Sequence, residues 1–287
     1  MKDFIGRLVL ITGGSSGIGL ALACELAKMG ANIFILARRP DQLEIAHRLI
    51  SQASIGLDGK QYIGTISADV ADRPQIIEKL SAFLDTHGPP DLLINSAGVT
   101  YPGIFYELPL DIFDWMMNVN YMGVVNVTKA VIGEMLKTHS GYIVNISSVA
   151  GFLGTYGYSA YGASKYAIRG LSDVMRAELK PCGIHVSVVF PPDTQTPQLE
   201  YESSLKPQVT RDLAGNTKIL TAERVALEII KGIKRDQYII TPGFETTVIY
   251  HLSTFLGNLV YPIMDLMIAR SLKKNIEKKP ESYIGPS

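Results

Sequence analysis

Cysteine is scarce in this chain. Only Cys24 and Cys182 occur among 287 residues, and neither has a second Cys at metal-ligand spacing. That excludes a disulfide scaffold and a thiolate metal site, so a reduced, cytoplasmic protein without a metal is expected. Excess charge of either sign is also missing. Lys+Arg and Asp+Glu are both 27, which leaves no broad nucleic-acid footprint. No Pro/Gly/Ser-rich linker, charge run or useful internal repeat divides the chain, so one large domain is favoured. Charged residues make up 19% and hydrophobic residues 47%, which excludes disorder as the main state. The opening "MKDFIGRLVLITGG" runs directly into a strand and a glycine turn, so neither a signal peptide nor an N-terminal membrane anchor is expected.

Short apolar runs alternate with longer helical patterns. Strands are expected in or at 7–12, 32–37, 62–70, 91–98, 141–148, 184–192 and 237–243, with a first helix over 17–30 and a second from Asp41. The strand runs are continuously apolar rather than alternating, as in a parallel sheet covered on both faces. This order predicts an α/β, Rossmann-type doubly wound fold: a mainly seven-stranded parallel sheet with helices on both faces. Ligands in that architecture bind at the carboxyl ends of the strands.

The first strand ends in "TGGSSGIG" (12–19). Glycines after a strand and before a helix let the backbone approach a pyrophosphate, and the helix N-terminus supplies free N–H groups. Gly13, Ser15, Ser16, Gly17, Ile18 and Gly19 are therefore candidate cofactor contacts. The end of the second strand lacks the carboxylate that would hold a ribose 2′-hydroxyl. Ala37 stands there, followed by Arg38 and Arg39. Guanidinium groups suit a 2′-phosphate, so the cofactor expected is NADPH/NADP+ rather than NAD(H). The bland alternative is two solvated surface arginines. Asp69, with Val70 beside it, is a candidate for the adenine end, although Asp is common in such turns.

The stretch "YGYSAYGASKYAIRG" (156–170) holds four tyrosines. On a helix, side chains four apart share a face, about 6 Å apart along the axis. Only Tyr161 has a cation at that spacing, Lys165. A neighbouring ammonium lowers a phenol pKa from about 10, which suits the pair to acid–base chemistry. A packed Tyr beside a surface Lys is the commoner meaning of this spacing alone. Ser148, at the carboxyl end of the fifth strand and thirteen residues earlier, points to the active reading.

Taken together, Thr12-Gly13-x-x-x-Gly17-x-Gly19, Asn95-Ser96-Ala97-Gly98, Asn120, Ser148 and Tyr161-x-x-x-Lys165 resemble the short-chain dehydrogenase/reductase family over roughly residues 5 to 240. The resemblance implies that Tyr161 protonates a substrate carbonyl and Ser148 orients it. Lys165 would lower the Tyr161 pKa and bind the nicotinamide ribose, and Asn120 would hold a water leading to Lys165. It adds Asn95, Ala97, Gly98, Pro191, Thr194 and Thr196 to the cofactor contacts. Ser96 replaces the family's usual Asn, and Pro192 its usual Gly. With its Pro-Pro pair, "FPPDTQTP" (190–197) resembles a subgroup that reduces the 3-ketone of a long-chain sphingoid base in sphingolipid synthesis. That implies a long-chain keto-lipid substrate, while the family resemblance implies a homodimer or homotetramer. Another hydrophobic ketone, such as a steroid or 3-ketoacyl thioester, and a silent dinucleotide-binding regulator are the alternatives.

A substrate-covering segment is expected over about 196–220, with Leu199, Tyr201 and Leu205 as apolar contacts and Glu200 or Glu202 meeting a substrate ammonium. Residues 1–244 are read as the dinucleotide-binding and catalytic domain, and 245–287 as an apolar segment with a basic tail. Residues 246–264 contain no Lys, Arg, Asp or Glu. Three readings stand: a helix packed on the domain or a second subunit, a segment lying peripherally on a membrane, and a span.

Overall fold

The computed structural model describes residues 1–56, 61–215 and 219–277, with side chains to residue 275. Its centre is a seven-stranded sheet, parallel throughout. The strands are β1 (Leu8–Thr12), β2 (Asn32–Ala37), β3 (Ile63–Ser67), β4 (Leu92–Asn95), β5 (Gly141–Ile146), β6 (Ile184–Val189) and a two-residue edge strand, Ile239–Ile240, called β9 below. The spatial order is β3-β2-β1-β4-β5-β6-β9. The chain therefore builds outward from β1 in one direction, then returns to β1 and builds the other way. Connections leave β1 and β4 toward opposite sides, which opens a crevice at their carboxyl ends.

Both faces of the sheet are covered, which explains the continuous apolar runs. Val9 and Ile11 pack with Leu22 and Leu26 of α1 (Gly17–Lys28), Ile50 of α2 (Pro40–Ala53) and Val225 and Ile229 of α9 (Ala222–Lys234). Leu10, between them, points the other way. It joins Ile76 and Leu80 of α3 (Arg73–His87), Val127 and Val131 of α5 (Gly123–Thr138) and Met175 of α6 (Ser159–Leu179). Each such side chain contributes roughly 1.5–3 kcal/mol by leaving water. Between α4 (Leu110–Met116) and α5 one turn is a π-helix, Met117–Met122.

The sixth strand ends at Val189, short of the expected 192, because Pro191 and Pro192 have no N–H for the ladder. The next segment forms β7 (Thr194–Gln195), α7 (Pro197–Ser203), α8 (Gln208–Ala214) and β8 (Leu220–Thr221). Residues 216–218 of the expected covering segment lie outside the described residues. The chain then closes with α10 (Phe244–Leu256) and α11 (Val260–Glu277). The stretch Phe244–Asn275 is long and apolar enough to cross a membrane, and its apolar window is not buried. α11 is tied to α8 through Ser271 Oγ and Asn275 Nδ2, which donate to Asp212 Oδ2 at 2.6 and 3.2 Å. Lys278 and Lys279 of the expected basic tail lie outside the described residues.

Candidate active site

The carboxyl ends of β1, β2, β4, β5 and β6 open into one cavity of about 1200 Å³, above the roughly 300–1,000 Å³ usual for a small ligand. At one end is the glycine turn. Gly13 has φ +67°, and a Cβ on it would stand 2.8 Å from Ala97 Cα; a Cβ on Gly19 would stand 2.4 Å from the Gly13 carbonyl oxygen. Thr12 Oγ1 accepts from the N–H groups of Ser96 and Ala97, both at 3.1 Å, which locks the turn to the β4 loop. No side chain caps α1, and its first turn carries no acid. The result is a bare helix N-terminus above a shelf of backbone, which fits a pyrophosphate.

All the expected cofactor contacts line the cavity except Asn95: Gly13, Ser15, Ser16, Gly17, Ile18 and Gly19 in the turn, Arg38, Arg39, Asp69 and Val70 beyond β2 and β3, Ala97 and Gly98 after β4, and Pro191, Thr194 and Thr196 after β6. Arg38 Nη1 lies 3.7 Å from Asp69 Oδ2, so the two candidates for the adenosine end already face each other at the surface. Asn95 is the exception. Its side chain is buried below the cavity floor, donating to Thr128 Oγ1 at 3.1 Å and Asn145 Oδ1 at 2.9 Å, and Asn145 passes the chain on to Ser172 Oγ at 2.9 Å. It ties β4 to β5 and α5 rather than lining the cavity.

The catalytic candidates converge. The buried stripe of α6 runs through Tyr161, Ser164, Lys165, Ile168, Ser172 and Met175, which puts the phenol and the lysine on the inward face. Ser148, just beyond β5, stands near enough to the Tyr161 phenol to favour its ionised form. Its Oγ accepts from the Ala150 N–H at 3.2 Å, which fixes the hydroxyl. Lys165 Nζ donates to the Ile146 carbonyl at 3.1 Å and stands 5.5 Å from the centre of the Tyr161 ring. Asn120 does not line the cavity. It is wholly buried in the π-helical turn, where its amide accepts from the Val99 N–H at 2.7 Å and donates to Val99 O at 3.0 Å and Ser164 Oγ at 2.9 Å. A Cβ on Gly98 would meet Asn120 Oδ1 at 3.3 Å and Lys165 Nζ at 3.4 Å, so the two groups flank that glycine.

Electrostatics depart from the expectation. The Tyr161 phenol is held above its ordinary pKa, not below it. Burial is the main cause, and the Glu202 and Asp193 carboxylates add to it, outweighing the opposite pull of Ser148 and Gln198. The Lys165 ammonium lies over the Tyr161 ring, with one of its three N–H groups donating to the Ile146 carbonyl. Burial lowers Lys165 itself to about 8.

Sequence reasoning missed Asp193, Gln198 and Lys206 in the cavity wall. Glu202 and Lys206 were legible as an i,i+4 pair. Of the covering-segment candidates, Leu199 and Glu202 line the cavity, whereas Tyr201, Leu205 and the exposed Glu200 do not. Tyr158 lines it and Tyr156 does not. The far end is walled by α10 and α11, through Leu252, Leu256, Ile263 and Met267 among others.

The chain is similar to 3-ketodihydrosphingosine reductase of Bos taurus, at 40% identity over 79% of this chain and 68% of that protein. It is 34% identical to the Dictyostelium discoideum protein of the same name, over 92% of this chain and 83% of the other. Among solved structures, levodione reductase superposes with a TM-score of 0.77 at 26% identity, covering 85% of this chain and 99% of that one. The short chain dehydrogenase family model matches residues 7–206, and the site described above lies almost wholly within them. This chain belongs to the short-chain dehydrogenase family.

Proposed function

We propose that this protein reduces the 3-ketone of 3-ketodihydrosphingosine to dihydrosphingosine with NADPH. The observation that carries the reading is the cavity itself. It joins a pyrophosphate shelf at one end, the Tyr161–Ser148 pair in the middle and an apolar helical wall at the other. That sequence of chemistries suits a dinucleotide, a carbonyl and a long alkyl chain. Relatives in cattle, slime mould and others carry the name of that reductase.

Members of this family bind nicotinamide dinucleotides, which supply hydride when bound. The missing carboxylate at Ala37 and the guanidinium of Arg38 favour the 2′-phosphorylated form. Ser148 and Tyr161 hold the ketone oxygen between them. Tyr161 gives that oxygen its proton as the carbonyl carbon is reduced. The phenol carries its proton at neutral pH, as donation to the ketone oxygen requires. Lys165, still mostly ammonium at pH 7, stabilises the phenolate left behind and binds the nicotinamide ribose. Asn120 holds the Val99 backbone and the Ser164 hydroxyl in place beside Lys165.

Residues 1–244 form the catalytic unit in this reading. The C-terminal segment lies peripherally on a cytoplasmic membrane face, with Arg270, Lys273 and Lys274 toward lipid headgroups. The assembly is a homodimer or homotetramer.

The test is cofactor oxidation at fixed enzyme with 3-ketosphinganine, a steroid ketone and a 3-ketoacyl thioester side by side, using NADPH and NADH. Fastest turnover of the first with NADPH is expected. Turnover of another ketone with none of the first overturns the substrate, and equal use of NADH overturns the cofactor.

A further inference from the structure

The cavity wall beside Tyr161 carries a charged cluster that proton transfer does not use. Lys206 Nζ lies 3.0 Å from Glu202 Oε1 and 3.1 Å from Asp193 Oδ2. Tyr158 donates to the same Glu202 Oε1 at 3.0 Å, and its ring centre is 5.6 Å from that of Tyr161. The Glu202 and Lys206 side chains are each 8% exposed. All four residues line the cavity.

Two carboxylates face one ammonium here, so the cluster keeps one negative charge. Glu202 is buried and Asp193 is half-exposed at the cavity face, so the surplus negative charge is presented to the cavity, and a cation is the ligand that completes the set. Glu202 Oε2 and Asp193 Oδ1 have no hydrogen-bond partner among the described residues, which leaves acceptors for one. An anionic substrate meets repulsion at the same place. Pro191 and Pro192 restrict the backbone leading into Asp193, and the i,i+4 spacing on α7 and the turn after it holds Lys206 against Glu202.

We propose that Glu202 and Asp193, braced by Lys206 and Tyr158, form a cation subsite that takes the ammonium of an α-amino ketone and selects such substrates over plain ketones. This rests on the ketone-reduction reading above. In an α-amino ketone the ammonium is on the carbon next to the carbonyl. With the ketone oxygen on Tyr161, that ammonium falls on the neighbouring stretch of wall. The field of both carboxylates reaches that point, since each raises the proton affinity of the Tyr161 phenol. The bound ammonium supplies the positive charge that the cluster lacks.

The experiment compares kcat/KM for 3-ketosphinganine and for 1-hydroxyoctadecan-3-one, the same chain without the amine. Wild-type enzyme is expected to favour the amino ketone by about tenfold to a hundredfold, the size of one charge-assisted hydrogen bond. Glu202→Gln and Asp193→Asn should each bring that ratio toward one, and because a ratio is read, a general loss of active enzyme cancels. A wild-type ratio near one, or an unchanged ratio in both variants, overturns the subsite and leaves ketone reduction standing. Absence of wild-type turnover with either ketone overturns the reduction reading and the subsite with it. A measurement on wild type alone guards against a Glu202→Gln variant that fails to fold: sphinganine should compete more tightly than octadecane-1,3-diol by a similar factor, and equal competition again overturns the subsite.

Discussion

At the scale of the residue, the site turns on two groups whose proton affinities move in opposite senses for the same reason. Burial disfavours charge, so it pushes the Tyr161 phenol up and the Lys165 ammonium down to about 8. Tyr161→Phe keeps the ring beside Tyr158 and removes only the proton donor. Turnover should fall by about 10²–10⁴-fold, while NADPH affinity, read by fluorescence titration, stays near its wild-type value. Retained turnover would contradict the acid assignment. Lys165 gives a second test through stability. Below pH 8 the folded and unfolded chains both carry its proton, and burying the charge opposes folding. Between about 8 and its ordinary 10.5 the folded chain sheds the proton while the unfolded chain keeps it. The unfolded state then binds more protons, so this residue's contribution to stability rises with pH, by at most about 1.4 kcal/mol per pH unit. Chemical denaturation of wild type and Lys165→Met from pH 7 to 10 should show wild type gaining on the variant above pH 8. A constant difference would contradict the depressed lysine.

At the scale of the element, the glycine turn and the N-terminus of α1 act as one part. Alanine normally improves a helix interior by about 1 kcal/mol over glycine. At Gly19 the sign should reverse, because the new Cβ would sit 2.4 Å from the Gly13 carbonyl oxygen, which is backbone and cannot swing aside. Gly19→Ala is expected to lose about 1–3 kcal/mol in thermal unfolding, and NADPH should restore less stability than in wild type. A variant as stable as wild type would show that the turn yields. The elements themselves were largely legible in the sequence. Every sheet strand falls within an expected stretch, because a strand covered on both faces must be apolar throughout. Tyr161, Lys165 and Ser148 were equally legible, from helical spacing and a strand end. Three things were not. The sense of the Tyr161 shift is set first by full burial, which only the packed fold creates, and Glu202 and Asp193 add to it from a different part of the chain. The inward burial of the Asn95 amide depends on its partners Thr128 and Asn145, one on a helix and one on the next strand. The π-helical turn carrying Asn120 is a hydrogen-bond register shift, and hydrophobic period does not reveal it.

At the scale of the whole molecule, the C-terminal helices have two different sides. One side closes the cavity; the other leaves Phe255 88% exposed and Leu259 65% exposed. Neither of those two lines the cavity. The double variant Phe255→Asp/Leu259→Asp should therefore fall off anionic phospholipid vesicles in a sedimentation assay and keep its NADPH titration. Equal sedimentation of variant and wild type would remove the membrane reading. The placement of α10 and α11 also bears on how such an enzyme diversifies. They follow the stretch that carries the glycine turn and the Tyr161 site, yet they wall the cavity end where an alkyl tail would lie. The catalytic residues and the far wall of the cavity thus lie on separate stretches of the chain, so the shape of that far end can vary without touching Ser148, Tyr161 or Lys165.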